Sequence, residues 1–128
     1  MKAIIRERTE LTPGVNFDPD KGLISLIGRS IPEHTVEFYR LLKEWIEEYV
    51  KNPQPKTTVE IHLDYFNTAS TKQIVDILRR MEKFHNAGHD TVVNWYYEED
   101  DEDIFETGED FASFLKIPFN VILTHDQV

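Results

Sequence analysis

Between Thr57 and Phe66 apolar and polar side chains alternate without a break, Val59, Ile61, Leu63 and Tyr65 on one side and Thr58, Glu60, His62 and Asp64 on the other. A period of two marks a β-strand with one buried face. A strand sandwiched between helix layers would be apolar on both faces, so a chain built around this segment needs helices mainly on one face of its sheet and leaves the other face polar. Amphipathic segments supply that cover. Phe38, Leu42, Trp45, Ile46 and Tyr49 recur at helical spacing opposite Glu37, Arg40, Lys43, Glu44 and Glu47, and Ser30-Ile31-Pro32-Glu33 reads as a capping box with Ser30 as N-cap. This helix ends near Asn52-Pro53.

A second capping box, Ser70-Thr71-Lys72-Gln73, precedes a stripe of Ile74, Val75, Ile77, Leu78, Met81 and Phe84, which stops at Asn86-Ala87-Gly88. The spacing predicts a third helix over Glu102 to Lys116, with Ile104, Phe105, Phe111, Phe114 and Leu115 inward, and Pro118 ends it. Gly108 should weaken its middle by about 1 kcal/mol. Further strands are expected at Val15 to Phe17, Leu23 to Gly28, Asp90 to Tyr97 and Phe119 to Thr124, the first two joined by a tight reversal through Asp18-Pro19-Asp20-Lys21-Gly22. The order ββαβαβαβ predicts an α/β fold with a mixed sheet of about five strands and right-handed crossovers.

At 128 residues, with 40% hydrophobic and 30% charged content, the chain suits a single domain over 1–128. The absence of cysteine excludes disulfides, thiolate zinc sites and thiol catalysis. Only Ala3, Ile4 and Ile5 precede Arg6, which is too little for a signal peptide. The longest run without Asp, Glu, Lys or Arg is Ile117 to His125, nine residues, against about 20 for a membrane span. A cytoplasmic protein without membrane insertion is expected. The net charge of −10 is local: nine of the 24 acids lie between Glu98 and Asp110, where there is no Lys or Arg. Without a basic stripe, nucleic-acid binding is disfavoured and a protein partner becomes the better expectation.

No motif for catalysis stands out: there is no glycine-rich phosphate loop, nucleophile elbow or His-Glu-x-x-His. Gly88 interrupts the spacing of His85 and His89, and His62 and Asp64 project from one strand face, so solvated histidines are expected rather than a metal site, and no cofactor is implied. A calcium loop with Gly108 sixth would put Phe105 and Phe114 at ligand positions, which fails. The acidic run then reads as a loop and an acidic first helical turn, or as an electrostatic partner surface. The segment Asp64 to Lys72 differs in kind. It joins the end of a central strand to a helix, where open α/β sheets place ligand and switch residues, and it carries three hydroxyls, Thr68, Ser70 and Thr71. Turn and capping chemistry would equally explain them.

Thr12-Pro13, Phe17-Asp18 to Gly22, Gly28-Arg29-Ser30 with Pro32-Glu33, Tyr65 to Lys72, Gly88 with Trp95-Tyr96-Tyr97, and Pro118-Phe119 together resemble the SiaC family of regulatory phosphoproteins. The resemblance implies a STAS-like fold, similar to anti-sigma-factor antagonists, and a non-enzymatic partner switch. In that family a dedicated protein kinase phosphorylates the junction threonine and a PP2C-like phosphatase removes the phosphate. The unmodified form binds and activates a diguanylate cyclase (GGDEF) protein, raising cyclic di-GMP and favouring biofilm or aggregation. The acceptor matches Thr68, with Asn67, Ala69, Ser70, Thr71 and Lys72 as the surrounding switch and partner surface. Ala69 stands where the family often has Ser. Two other readings remain open: a STAS-like binding scaffold that phosphorylation does not regulate, and a small hydrolase using His62, Asp64 and a junction hydroxyl.

Overall fold

The computed structural model describes residues 1–128. Six strands and three helices follow in the order β1 (Ile4–Arg6), β2 (Gly14–Asp18), β3 (Leu23–Ser30), α1 (Thr35–Tyr49), β4 (Lys56–Phe66), α2 (Thr68–Asn86), β5 (Asp90–Glu98), α3 (Glu102–Phe114) and β6 (Phe119–Thr124). The strand missing from the sequence reading is β1, three residues too short to show a period; it is recognised only through its antiparallel pairing with β2. Trp45 helps hold it, donating its indole N–H to the Lys2 carbonyl at 2.8 Å. No helix is long and apolar enough to cross a membrane.

The sheet is mixed, antiparallel across β1, β2 and β3 and parallel across β3, β4, β5 and β6. Its spatial order is the chain order, β1-β2-β3-β4-β5-β6. Each strand–helix–strand crossover therefore steps one strand in the same direction, and crossovers of one hand stack all three helices on one face. A sheet wound this way has no point where the strand order reverses, so the crevice that such a reversal opens in doubly wound folds is absent.

Val15, Phe17, Ile24, Leu26, Val59, Ile61, Leu63, Val93 and Trp95 from the sheet, with the inward stripes of the helices, form one buried core. In α1 the stripe includes Tyr39, fully buried, whereas Phe38, expected there, is half-buried against its ring. In α3 the inward set is Ile104, Gly108 and Phe111, and the helix ends at Phe114 rather than Lys116. Phe114, expected inward, is 41% exposed and lies under the Arg79 guanidinium, 5.0 Å from the ring centroid.

The alternation in β4 holds from Thr57 to Leu63 and then reverses. Gly28 opposes Leu63 but Arg29 opposes Tyr65, so Asp64 is an extra residue at a bulge. The bulge turns Tyr65 out to 52% exposure and Phe66 in against Trp95. Tyr65, grouped by its spacing with the core residues, thus leaves the core. At the β2–β3 turn Gly22 has φ +62°, and a Cβ there would sit 2.4 Å from the Lys56 carbonyl oxygen. Gly22→Ala should cost about 2 kcal/mol or more, from left-handed strain and this contact. A urea midpoint equal to wild type would contradict that expectation.

Candidate functional site

The helix after β4 begins three residues earlier than its capping box suggests. Asn67, with extended backbone angles, is the N-cap, and its side-chain oxygen accepts the Ser70 amide at 2.9 Å. Thr68, Ala69 and Ser70 are therefore the first three helical residues, and Ser70 is not a cap. Ser30 is not a cap either. It ends β3, fully buried, and His34 precedes α1 without a side-chain cap. Asn, Ser and Thr all have the oxygen that capping needs, so local chemistry cannot choose among them; where β3 and β4 stop pairing decides it.

The three junction hydroxyls have different fates. Ser70 has no solvent exposure, and its hydroxyl donates to the Ser30 carbonyl at 2.9 Å. It consequently drops out of the exposed surface to which the sequence reading assigned it. Thr71 is half-buried and donates to the Asn67 carbonyl at 3.0 Å. Thr68 is exposed, and its hydroxyl makes no hydrogen bond within the chain. Ala69 and Lys72 are exposed beside it, and Asn67 is half-buried. The first-turn amides of Thr68 and Ala69 have no intrahelical acceptor, and the helix dipole places positive potential there. Tyr65, turned out by the bulge, adds an exposed ring just before the turn.

The residues of the hydrolase reading are not brought together. His62 lies on the helix-free face with Nε2 3.9 Å from Glu98, while Asp64 faces Arg29 at 3.7 Å; no hydrogen bond joins either to a junction hydroxyl. Burial pulls the His62 imidazole below its ordinary value, against the opposing pull of Glu98. His85 Nδ1 donates to the His89 carbonyl at 3.0 Å, and the His89 ring stacks on Phe84. In the acidic run Asp101 caps α3 by accepting the Ile104 amide, and Glu102 and Asp103 fill its first turn. Glu98, Glu99, Asp100 and Asp101 face Asp64 and the C-terminal residues across an open cleft.

Sequence reasoning missed Tyr39, whose hydroxyl reaches Ser30 at 2.5 Å beneath the junction. Its only signal was a place in α1 beside Phe38. Burial pushes the Tyr39 phenol up to about 12. A folded-state value above the unfolded one of 10.0 means that the contribution is complete below pH 10 and is lost as pH rises toward 12. About 2 to 3 kcal/mol of stability should disappear over that window. Tyr39→Phe should flatten that part of the stability-against-pH curve, and an unchanged slope would show that Tyr39 is not the group titrating.

The profile of the SiaC family regulatory phosphoproteins matches residues 6–124. An uncharacterized protein of Pseudomonas aeruginosa (strain UCBPP-PA14) is 31% identical over 119 residues, covering 93% of this chain and 94% of that protein. The SiaC chain in the crystal structure of the diguanylate cyclase SiaD in complex with its activator SiaC, from Pseudomonas aeruginosa, superposes with a TM-score of 0.89 at 28% identity, covering 97% of this chain and 100% of that one. Apo-SiaC from the same organism gives a TM-score of 0.86 at 29% identity, covering 94% and 98%. A family match over nearly the whole length, on a fold that superposes this closely, establishes that the chain belongs to the SiaC family of regulatory phosphoproteins.

Proposed function

We propose that this chain is a partner switch controlled by phosphorylation: unmodified, it binds and activates a diguanylate cyclase of the GGDEF type; phosphorylated on Thr68, it does not. A protein kinase adds the phosphate and a PP2C-like phosphatase removes it. The likeness to an activator crystallised with its cyclase supports the partner. The observation that carries the control is the contrast within one helical turn, where Thr68 alone combines exposure with an uncommitted hydroxyl.

A phosphoryl group on Thr68 would bring about −1.5 to −2 charges to the N-terminus of α2. There the dipole stabilises it by roughly 1 kcal/mol at most, since the turn is solvated. The same group in a contact that must dry on docking carries a desolvation penalty of several kcal/mol. The penalty dominates, and about 2.7 kcal/mol of it already lowers affinity a hundredfold. The switch therefore requires no rearrangement of the fold.

Isolation of the protein from its native host, followed by intact mass and peptide mapping, tests this reading. One added phosphate on the peptide carrying Thr68, absent in Thr68→Ala, is the expected result. A protein that never carries phosphate would instead be an unregulated scaffold, and phosphate on Thr71 would move the switch by one helical turn.

A further inference from the structure

Three side-chain hydroxyls meet beneath the turn that presents Thr68, each from a different element. Ser30 ends β3, Tyr39 lies near the start of α1, and Ser70 is in the first turn of α2. None has any solvent exposure. Tyr39 Oη is 2.5 Å from Ser30 Oγ, Ser30 Oγ donates to Ser70 Oγ at 2.9 Å, and Ser70 Oγ donates to the Ser30 carbonyl at 2.9 Å. With the Ser30 and Ser70 protons committed in this way, only the Tyr39 hydroxyl remains to donate in the first bond. Every hydroxyl proton of the relay is thus used. The Ser30 carbonyl also accepts the Asn67 amide at 3.2 Å. The residues flanking Thr68 on both sides, Asn67 and Ser70, are consequently anchored on one residue of the neighbouring strand.

We infer that Ser30, Tyr39 and Ser70 are positioning residues for the phosphorylation of Thr68: their buried relay clamps the first turn of α2 to β3 and α1, so that the one free hydroxyl is offered on a backbone that does not yield when a kinase engages it. The inference rests on Thr68 being the acceptor, as proposed above. In the reaction the Thr68 oxygen forms a bond to the γ-phosphorus of ATP as the bond from that phosphorus to the bridging oxygen breaks. ADP leaves, and the threonine proton passes to a base of the kinase. Such a transfer depends almost wholly on in-line placement of the attacking oxygen. Helix ends are where backbone hydrogen bonds are missing and fraying begins. Here fraying would take from the buried Ser30 hydroxyl and carbonyl their partners on Ser70, a loss that opposes opening of the turn. The clamp also withdraws Ser70 from competition, because its proton is held by a carbonyl and its oxygen is enclosed.

The test compares wild type with Tyr39→Phe and Ser70→Ala as full-length chains. Amide hydrogen exchange is followed, together with initial rates of phosphate transfer from ATP to Thr68 at varied protein concentration, with an extract of the native host's cells as the kinase source. Both variants should keep β4 and β5 protected while exchange in the first turn of α2 accelerates about tenfold. Their kcat should fall about tenfold at unchanged KM, since the surface the kinase binds is intact. Partial unfolding would instead raise the apparent KM at constant kcat, and that pattern overturns the positioning role. So does faster exchange at an unchanged kcat, or exchange that does not change at all. If Ser70→Ala fails to fold, Tyr39→Phe, which removes one oxygen, decides. A wild-type chain that takes no phosphate on Thr68 would overturn the proposed function and this role with it; a normal wild-type rate with unaffected variants would overturn the relay alone.

Discussion

Thr68→Ala should bind a diguanylate cyclase of the GGDEF type as tightly as wild type, whereas wild type phosphorylated on Thr68 should bind about a hundredfold more weakly. Thr68→Glu should fall between them, weaker than wild type by about tenfold or more, because a carboxylate brings one charge in place of nearly two. The methyl side chain of Ala costs little at an exposed first-turn position whose hydroxyl has no partner, so the stability change should stay within about 0.5 kcal/mol. Calorimetric titration of the four forms against one cyclase measures this, with thermal denaturation as the control. Equal affinity across all four would remove Thr68 from the mechanism. Weakened binding by Thr68→Ala alone would mean that the threonine is itself a contact.

Gly108→Ala should destabilise the fold by about 3 kcal/mol, even though alanine is the better helix former by about 1 kcal/mol. A Cβ at this position would lie 2.4 Å from Trp95 Cδ1 and 2.7 Å from Nε1. The indole cannot retreat, being packed against Phe66, Phe111 and Phe119 while its N–H donates to the Ile104 carbonyl at 2.9 Å. Either α3 lifts away from the sheet or that buried hydrogen bond breaks. For a chain of this size the loss corresponds to a drop in Tm of roughly 10 °C. Glu109→Ala, one residue on and exposed, should move stability by less than about 0.5 kcal/mol. A Gly108→Ala protein as stable as wild type would show that α3 does not depend on contact with Trp95. The glycine that intrinsic propensity marks as a weak point in the helix is what lets α3 lie directly on the indole.

Much of the architecture was legible because its signals are local. Burial on one face imprints a period on every segment long enough to carry one, which is why β4, β5, β6, the stripe of α2 and that of α1 from Leu42 onward stand where the sequence places them. Phe114 and Tyr65 were misplaced for the same reason: a period continues through a helix end or a bulge on paper, but not in space. Of the candidate site, the segment at the end of β4 was legible through the Tyr65 to Lys72 motif, whereas the surroundings of its three hydroxyls were not. Ser70 looked like a cap on the surface and is a buried link to a residue 40 positions away.

By itself the sequence determined the fold class, the helix cover on one face, the acidic character of one loop and the family, since each depends on residue type and spacing along the chain. Tertiary structure alone decided which oxygen caps α2, which of three neighbouring hydroxyls meets solvent and why residue 108 has no side chain. Those outcomes depend on what lies across the gap from each residue, on the ends of β3 and β4 and on the Trp95 ring, and segments far apart in sequence meet only when the sheet is assembled.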